Sequence, residues 1–185
     1  VAAGWSRIAR RIRVPLGFIF AVLFLWLARP TRLFGAASLA FVVPGLLLRG
    51  YASGYVKKNR ELTVTGPYAH TRNPLYLGSM MIAFGFALAA RSGWIAVVMV
   101  VLFAVIYVPV IRSEEEYLRS VFPDFDAYAA TVPRLLPRIK AGGSSGEAKG
   151  VFSAALYRRH REYNALMGAA GMYAALILKW MLLRK

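Results

Sequence analysis

Two polar motifs bracket a single apolar hairpin, and that arrangement limits what this chain can fold into. The first motif is Thr71-Arg72-Asn73-Pro74-Leu75-Tyr76. An apolar stretch runs from there to Ala90, Arg91-Ser92-Gly93 breaks it, and a second apolar stretch runs from Trp94 to Ile111. The second motif, Arg112-Ser113-Glu114-Glu115-Glu116, follows directly. A tight turn between antiparallel helices returns the chain to the side it left. Packed helices sit about 8–10 Å apart, so the two motifs are expected to face each other at one membrane surface and to form a site.

The hairpin is not the only apolar stretch. Of 185 residues 58% are apolar, and the mean hydropathy is +0.51. A soluble domain of this size rarely carries so many long apolar runs. Candidate spans lie at 14–28, 33–48, 75–90, 94–111 and 164–182. A spanning helix needs about 20 residues, and flanking Tyr, Trp and Arg extend the shorter runs into the interface. The run at 14–28 follows Arg7, Arg10, Arg11 and Arg13, as a secretory signal would. Arg29-Pro30-Thr31-Arg32 is a poor cleavage site, however, and more spans follow, so the run is read as a span. The expected fold is all-α: a polytopic membrane protein with about five transmembrane helices plus short cytoplasmic helices. Residues 1–140 are expected to form the core, with the candidate site within 66–137. Residues 141–150 (AGGSSGEAKG) read as a flexible linker, and 151–185 as a basic segment with an extra membrane helix.

The net charge of +16 invites a nucleic-acid partner. The positions of the charges argue against one. With the N-terminus cytoplasmic, the inside segments hold Arg7, Arg10, Arg11, Arg13, Arg49, Lys57, Lys58, Arg60, Arg72, Arg112, Arg119, Arg134, Arg138, Lys140 and Lys149, while the outside turns hold Arg29, Arg32 and Arg91. That is 15 against 3 over the first four spans, which fits the positive-inside rule. Both motifs are then cytoplasmic, as for a bacterial inner-membrane protein, and the basic face favours anionic lipid headgroups. The chain has no cysteine, which excludes disulfides, thiolate metal sites and a cysteine nucleophile. His70 and His160 are too few for a histidine-built metal centre.

Local signals refine the plan. Pro44-Gly45 should kink or loosen the second span. From Gly50 to Tyr76 the chain reads as a loop, with a short extended part at Glu61-Leu62-Thr63-Val64 and a turn at Gly66-Pro67-Tyr68. Pro74 suits the first turn of the third helix, with Asn73 as its N-cap. The fourth helix should leave the membrane after Ile111 and continue to about Phe122, with Arg112–Glu116 and Glu115–Arg119 at i,i+4 spacing. A short helix over 124–131 should follow.

Chemistry concentrates in a few residues. Three of the eight acidic residues are consecutive at the end of a membrane helix. Carboxylates near hydrocarbon are functional candidates; an interfacial ion-pair lattice with Arg112 and Arg119 is the competing reading. Consecutive helical residues point about 100° apart, so Glu114, Glu115 and Glu116 cannot all line one pocket. Arg72 suits binding of a carboxylate or phosphate, or service as an inside anchor. Tyr68 and Tyr128 suit aromatic walls for a nucleoside and Tyr76 suits closing over a ligand, with interfacial packing as the competing reading for all three. Together they offer cations, carboxylates and aromatics at a mouth that opens onto an apolar interior. That suits a polar cofactor meeting a lipid-like substrate.

Gly66-Pro67-Tyr68 followed by Thr71-Arg72-Asn73-Pro74-Leu75-Tyr76-Leu77-Gly78 resembles the G-P-Y…R-(H/N)-P-x-Y-x-G signature of the isoprenylcysteine carboxyl methyltransferases and their bacterial relatives, a group related to the phospholipid N-methyltransferases. Arg112-Ser113-Glu114-Glu115-Glu116-Tyr117-Leu118 is similar to the same family's R-x-E-E-x-x-L. Phe122-Pro123-Asp124-Phe125-Asp126-Ala127-Tyr128 and Val132-Pro133-Arg134-Leu135-Leu136-Pro137 resemble its tail, with Pro123 and Phe125 in place of its usual Gly and Tyr. The resemblance covers residues 50–138. It implies S-adenosylmethionine as methyl donor, bound at the cytoplasmic side, and a lipophilic substrate entering from the bilayer. By motif match the donor-site candidates are Tyr68, Arg72, Asn73, Pro74, Tyr76, Glu115 and Tyr128. Arg112 and Glu114 are the candidates for catalysis and for orienting the reactants. Asn73 stands where eukaryotic members usually carry His; it forms hydrogen bonds but takes no proton at neutral pH.

The implied reaction is methyl transfer from a sulfonium to a nucleophile. A carboxylate acceptor is already ionised and needs a cation to orient it, for which Arg112 is the choice. An amine acceptor needs deprotonation, for which Glu114 or Glu115 is available. Two other readings compete: a membrane reductase of sterol-reductase-like architecture, and a non-catalytic lipid-binding membrane module. The resemblance does not reach residues 150–185.

Overall fold

The structure, a computed structural model, describes residues 15, 17–57, 61–140 and 150–183. Arg7, Arg10, Arg11, Arg13, Lys58, Arg60, Lys149 and the linker over 141–149 lie outside the described residues. Among the described residues there are seven helices and no strand. They are α1 (Gly17–Leu27), α2 (Arg32–Ser53), α3 (Pro74–Ala90), α4 (Gly93–Val121), α5 (Phe125–Thr131), α6 (Ala154–Arg159) and α7 (Tyr163–Leu183). Three of them, α2, α4 and α7, are long and apolar enough to cross a membrane, while α1 and α3 are shorter apolar helices. Their outward faces are greasy. Phe18, Leu33, Trp26 and Trp94 expose 73–76% of their surface, which suits lipid and not water.

Contacts at the two ends fix the directions of the helices. The α1–α2 turn meets the end of α3, where Arg29 N–H donates to the Ala90 carbonyl at 2.9 Å. Lys179, near the end of α7, donates to the Leu25 and Trp26 carbonyls at that same end. A core of Phe24, Ala28, Ala89, Ala90, Ile95 and Leu176 closes it. At the opposite end the start of α7 meets the end of α2. Successive long helices therefore alternate in direction, and both polar motifs fall at the end away from Arg29.

The α2–α3 pair is packed glycine to glycine. A Cβ on Gly78 would lie 2.7 Å from the Gly45 carbonyl oxygen, and one on Gly85 2.8 Å from the Ser38 carbonyl oxygen. Small residues let backbones approach this closely inside a bilayer, where packing replaces the hydrophobic drive. Pro44 sits within α2, which runs through it as one helix.

The hairpin turn is tight, with Arg91 in the left-handed region at φ 51°. α4 then runs 29 residues, interrupted at Phe103–Tyr107 by one π-helical turn. Pro109 lies two residues beyond and has no N–H to give to the helix ladder; a π turn is a common accommodation. The helix leaves its apolar part at Ile111 and ends at Val121, as the sequence indicates. Glu61 to Val64 form no strand; Leu62 and Val64 pack instead against Phe125, Tyr128 and Val132.

Candidate functional site

Glu115 is the centre of the polar end. It lies on the inward face of α4 and is only 4% exposed. Its Oε1 accepts from Asn73 Nδ2 at 3.1 Å and lies 3.3 Å from Arg72 Nε. Its Oε2 accepts from Arg134 Nε at 2.9 Å. One carboxylate thus joins the first motif, the second motif and the Val132–Pro137 tail. A buried carboxylate persists only when paired and hydrogen-bonded, and this one has both.

The tail and the first motif are also stitched by backbone. Arg72 N–H donates to the Pro133 carbonyl at 2.9 Å, and Arg138 N–H to the His70 carbonyl at 3.0 Å. The buried Thr71 hydroxyl donates to the Leu135 carbonyl at 3.0 Å. Asn73 occupies the N-cap position of α3, as expected, but its side chain makes no capping bond. Its amide goes to Glu115 and to the Arg134 carbonyl instead. Pro74 is buried at the first position of α3.

The other two glutamates diverge. Glu114 is exposed, and its Oε1 accepts from the Tyr76 hydroxyl at 3.0 Å. Glu116 is exposed on a third face. Arg112 is exposed as well and is not drawn into the Glu115 cluster. Arg119 pairs with Asp126 at 2.7 Å, not with Glu115, because Glu115 has turned inward to Arg72 and Arg134.

Aromatic side chains continue from this cluster into the bundle. Tyr76 meets Tyr107 edge-on at 5.8 Å, and Tyr107 stacks on Phe103 at 5.3 Å. Tyr107 and Phe103 then line a cavity of about 160 Å³ with Ser79, Met80, Met99 and Ile106. Tyr76 thus touches both Glu114 of the polar end and Tyr107 of the cavity wall. On the opposite side the buried Tyr128 hydroxyl donates to the Tyr68 carbonyl at 2.7 Å. Burial pushes both phenols well above their ordinary range; at Tyr68 the charges of Tyr128, Glu114 and Glu162 add to this and Arg49 opposes it. Both stay neutral donors at any physiological pH.

Of the residues singled out from sequence, Arg72, Asn73, Pro74 and Glu115 come together in one cluster. Tyr76 with Glu114, and Tyr68 with Tyr128, flank it. Arg112 stands apart. Sequence reading assigned no part in the site to Thr71, Arg134, Arg49, Ser79 or Glu162. Thr71 and Arg134 lie inside recognised motifs; Arg49, Ser79 and Glu162 lie in no motif, and no local pattern marks them.

Residues 45–124 match the phospholipid methyltransferase family. The matched segment contains the first and second motifs, α3 and all of α4, in line with the family resemblance read from the motifs. The chain is also 39% identical over 89 residues to the nickel-cobalt-cadmium resistance protein NccN of Alcaligenes xylosoxydans xylosoxydans, a stretch that covers 48% of this chain and 41% of that protein. It is 37% identical over 89 residues to the cobalt-zinc-cadmium resistance protein CzcN of Cupriavidus metallidurans, covering 48% and 40%. The match thus spans about two fifths of each of these relatives. No solved structure matches.

Proposed function

We propose that this chain is an integral-membrane, S-adenosylmethionine-dependent methyltransferase that moves a methyl group to a lipophilic acceptor, at a carboxylate oxygen or an amine nitrogen. The observation that carries this reading is the joining of both polar motifs through Glu115 beside a cavity of about 160 Å³ that is apolar and lies within the helices. The family match at 45–124 supports it.

The residues present fit the donor. Arg72 sits in the cluster with its Nε 3.3 Å from Glu115 Oε1, and its guanidinium is of the kind that recognises a carboxylate such as the one on the methionine end. Tyr68, Tyr76 and Tyr128 offer ring faces and hydroxyls for a nucleoside. When bound, the donor supplies a methyl on a sulfonium, reactive enough that alignment is the main requirement. The chain does the rest. Arg72, Asn73 and Glu115 hold the mouth rigid, and the Tyr76–Tyr107–Phe103 wall excludes water from the cavity. Arg112, exposed on α4, is the candidate for orienting an ionised acceptor headgroup. Glu114 is the base for an amine acceptor, with the Tyr76 hydroxyl fixing the carboxylate.

The mouth is assigned to the cytoplasmic side of a bacterial inner membrane from the distribution of Arg and Lys, with the acceptor entering from the bilayer. No metal chemistry is carried over from the relatives' names: among the described residues no group of three or more His, Cys, Asp and Glu is placed to hold an ion.

Calorimetry tests the reading. S-adenosylmethionine and S-adenosylhomocysteine are titrated into the detergent-purified protein, wild type beside Arg72→Ala and Glu115→Ala. Micromolar binding that the variants lose is the expected result. A folded wild-type protein that binds neither, with or without added lipid, would overturn it.

A further inference from the structure

Arg49, near the end of α2, is the most heavily bonded cation among the described residues that the methyltransferase reading does not use. Its Nε and Nη2 donate to the two oxygens of Glu162, each at 3.0 Å. Its Nη1 donates to the Leu75 carbonyl at 3.2 Å and to the Ser79 hydroxyl. The side chains are only 23% and 12% exposed. Such a two-pronged pair is directional as well as strong. Largely buried, it is also expensive to break from one side.

The partners of this pair are what matter. Leu75 and Ser79 flank Tyr76 on the first turns of α3, so Arg49 grips the part of the helix that carries the first motif. Ser79 also lines the apolar cavity. Glu162 comes from the turn before α7, a segment that lies beyond the family match at 45–124. The same segment docks at two further points. His160 Nδ1 meets the Ser53 carbonyl at 3.0 Å, and Ser153 N–H donates to the Gly54 carbonyl at 3.0 Å. Tyr68 is close enough to feel the charges of Glu114, Glu162 and Arg49 together.

We propose that Arg49 and Glu162 are positioning residues of the transfer site: a latch through which the C-terminal segment holds the first turns of α3, and with them Tyr76, at the junction of polar mouth and apolar cavity. Residues 150–183 are then a working wall of the site and not a fifth anchor alone. The role in donor binding rests on the methyltransferase reading; the latch itself does not.

The absence of cysteine permits a clean test. Two cysteines are introduced at the exposed positions Ala127 and Asn164 and spin-labelled, and the distance distribution between α5 and the start of α7 is recorded in the full chain, with Glu162 intact and as Glu162→Gln. S-adenosylhomocysteine affinity is measured on the unlabelled Glu162→Gln and Ser79→Ala proteins below their melting temperatures. Broader distances in Glu162→Gln, with affinity weakened by about tenfold there and by about threefold in Ser79→Ala, are the expected result, each bond to the charged group being worth roughly that much. An unchanged distance distribution overturns the latch. Broader distances with wild-type affinity overturn its role in the site. A wild-type protein that binds no S-adenosylhomocysteine defeats the methyltransferase reading instead, and the latch is then decided by the distances.

Discussion

Asn73 Nδ2 lies 3.1 Å from Glu115 Oε1, across the open ends of the α3–α4 hairpin. Forty-two positions separate the two residues in sequence, and the contact exists because the Arg91 turn sends α4 back alongside α3. The same carboxylate takes Arg72 and Arg134. Removing it leaves Arg72, with only 12% of its side chain exposed, buried and uncompensated. Glu115→Ala should therefore lower stability by about 3–5 kcal/mol. Glu115→Gln, which keeps the Asn73 and Arg134 contacts in shape, should lose roughly half as much. Thermal unfolding in detergent reads the order; equal melting temperatures for wild type and Glu115→Ala would show that the cluster is not structural.

The sequence made much of this legible, for physical reasons. Alternating apolar runs and basic turns are dictated by the bilayer, so every long helix could be read before the structure. The divergence of Glu114, Glu115 and Glu116 followed from helical geometry alone. What could not be read was which glutamate turns inward, because that depends on Arg134 returning from a tail 19 residues later. Asn73 was readable as a cap position but not as a donor to Glu115. The Arg49–Glu162 pair spans 113 positions and has no local signature at either end.

The glycine contacts between α2 and α3 give a second prediction. A methyl on Gly78 would meet the Gly45 carbonyl at 2.7 Å and the Arg49 side chain at the same distance. The helices must move apart, so Gly78→Ala should destabilise by about 1–3 kcal/mol despite alanine's higher helix propensity. Gly171 in α7 has nothing within 4 Å, and Gly171→Ala should melt at or above the wild-type temperature. Equal melting of the two variants would contradict the close packing.

Alkaline pH supplies a third. Unfolded tyrosine loses its proton near pH 10, while Tyr68 and Tyr128 are held neutral well beyond that by burial. The unfolded state then binds fewer protons than the native one. Their contribution is complete below pH 10 and is lost as pH rises above it. Melting temperature should fall between pH 10 and 11. Tyr128→Phe should start about 1 kcal/mol less stable at pH 8, having lost its bond to the Tyr68 carbonyl, and should decline less steeply. A profile of equal steepness in both proteins would assign the alkaline loss to other groups.

Arg112 and Tyr76 separate acceptor handling from architecture. Arg112 is exposed and lies outside the Glu115 cluster, so Arg112→Ala should leave melting within about 0.5 kcal/mol of wild type and leave S-adenosylhomocysteine affinity unchanged. If its guanidinium orients an ionised acceptor, the loss falls on the acceptor KM, by about tenfold for one charge-assisted contact. Tyr76→Phe removes the 3.0 Å bond to Glu114 but keeps the ring against Tyr107. It should lower kcat more than KM, because Glu114 loses its fixed orientation and not its charge. Assays with a long-chain fatty acid and with phosphatidylethanolamine vesicles, donor saturating, distinguish the acceptors. Sensitivity to Arg112→Ala confined to the acid marks a carboxylate methyltransferase. Sensitivity to Glu114→Gln confined to the amine marks an amine methyltransferase, with Glu114 as the base.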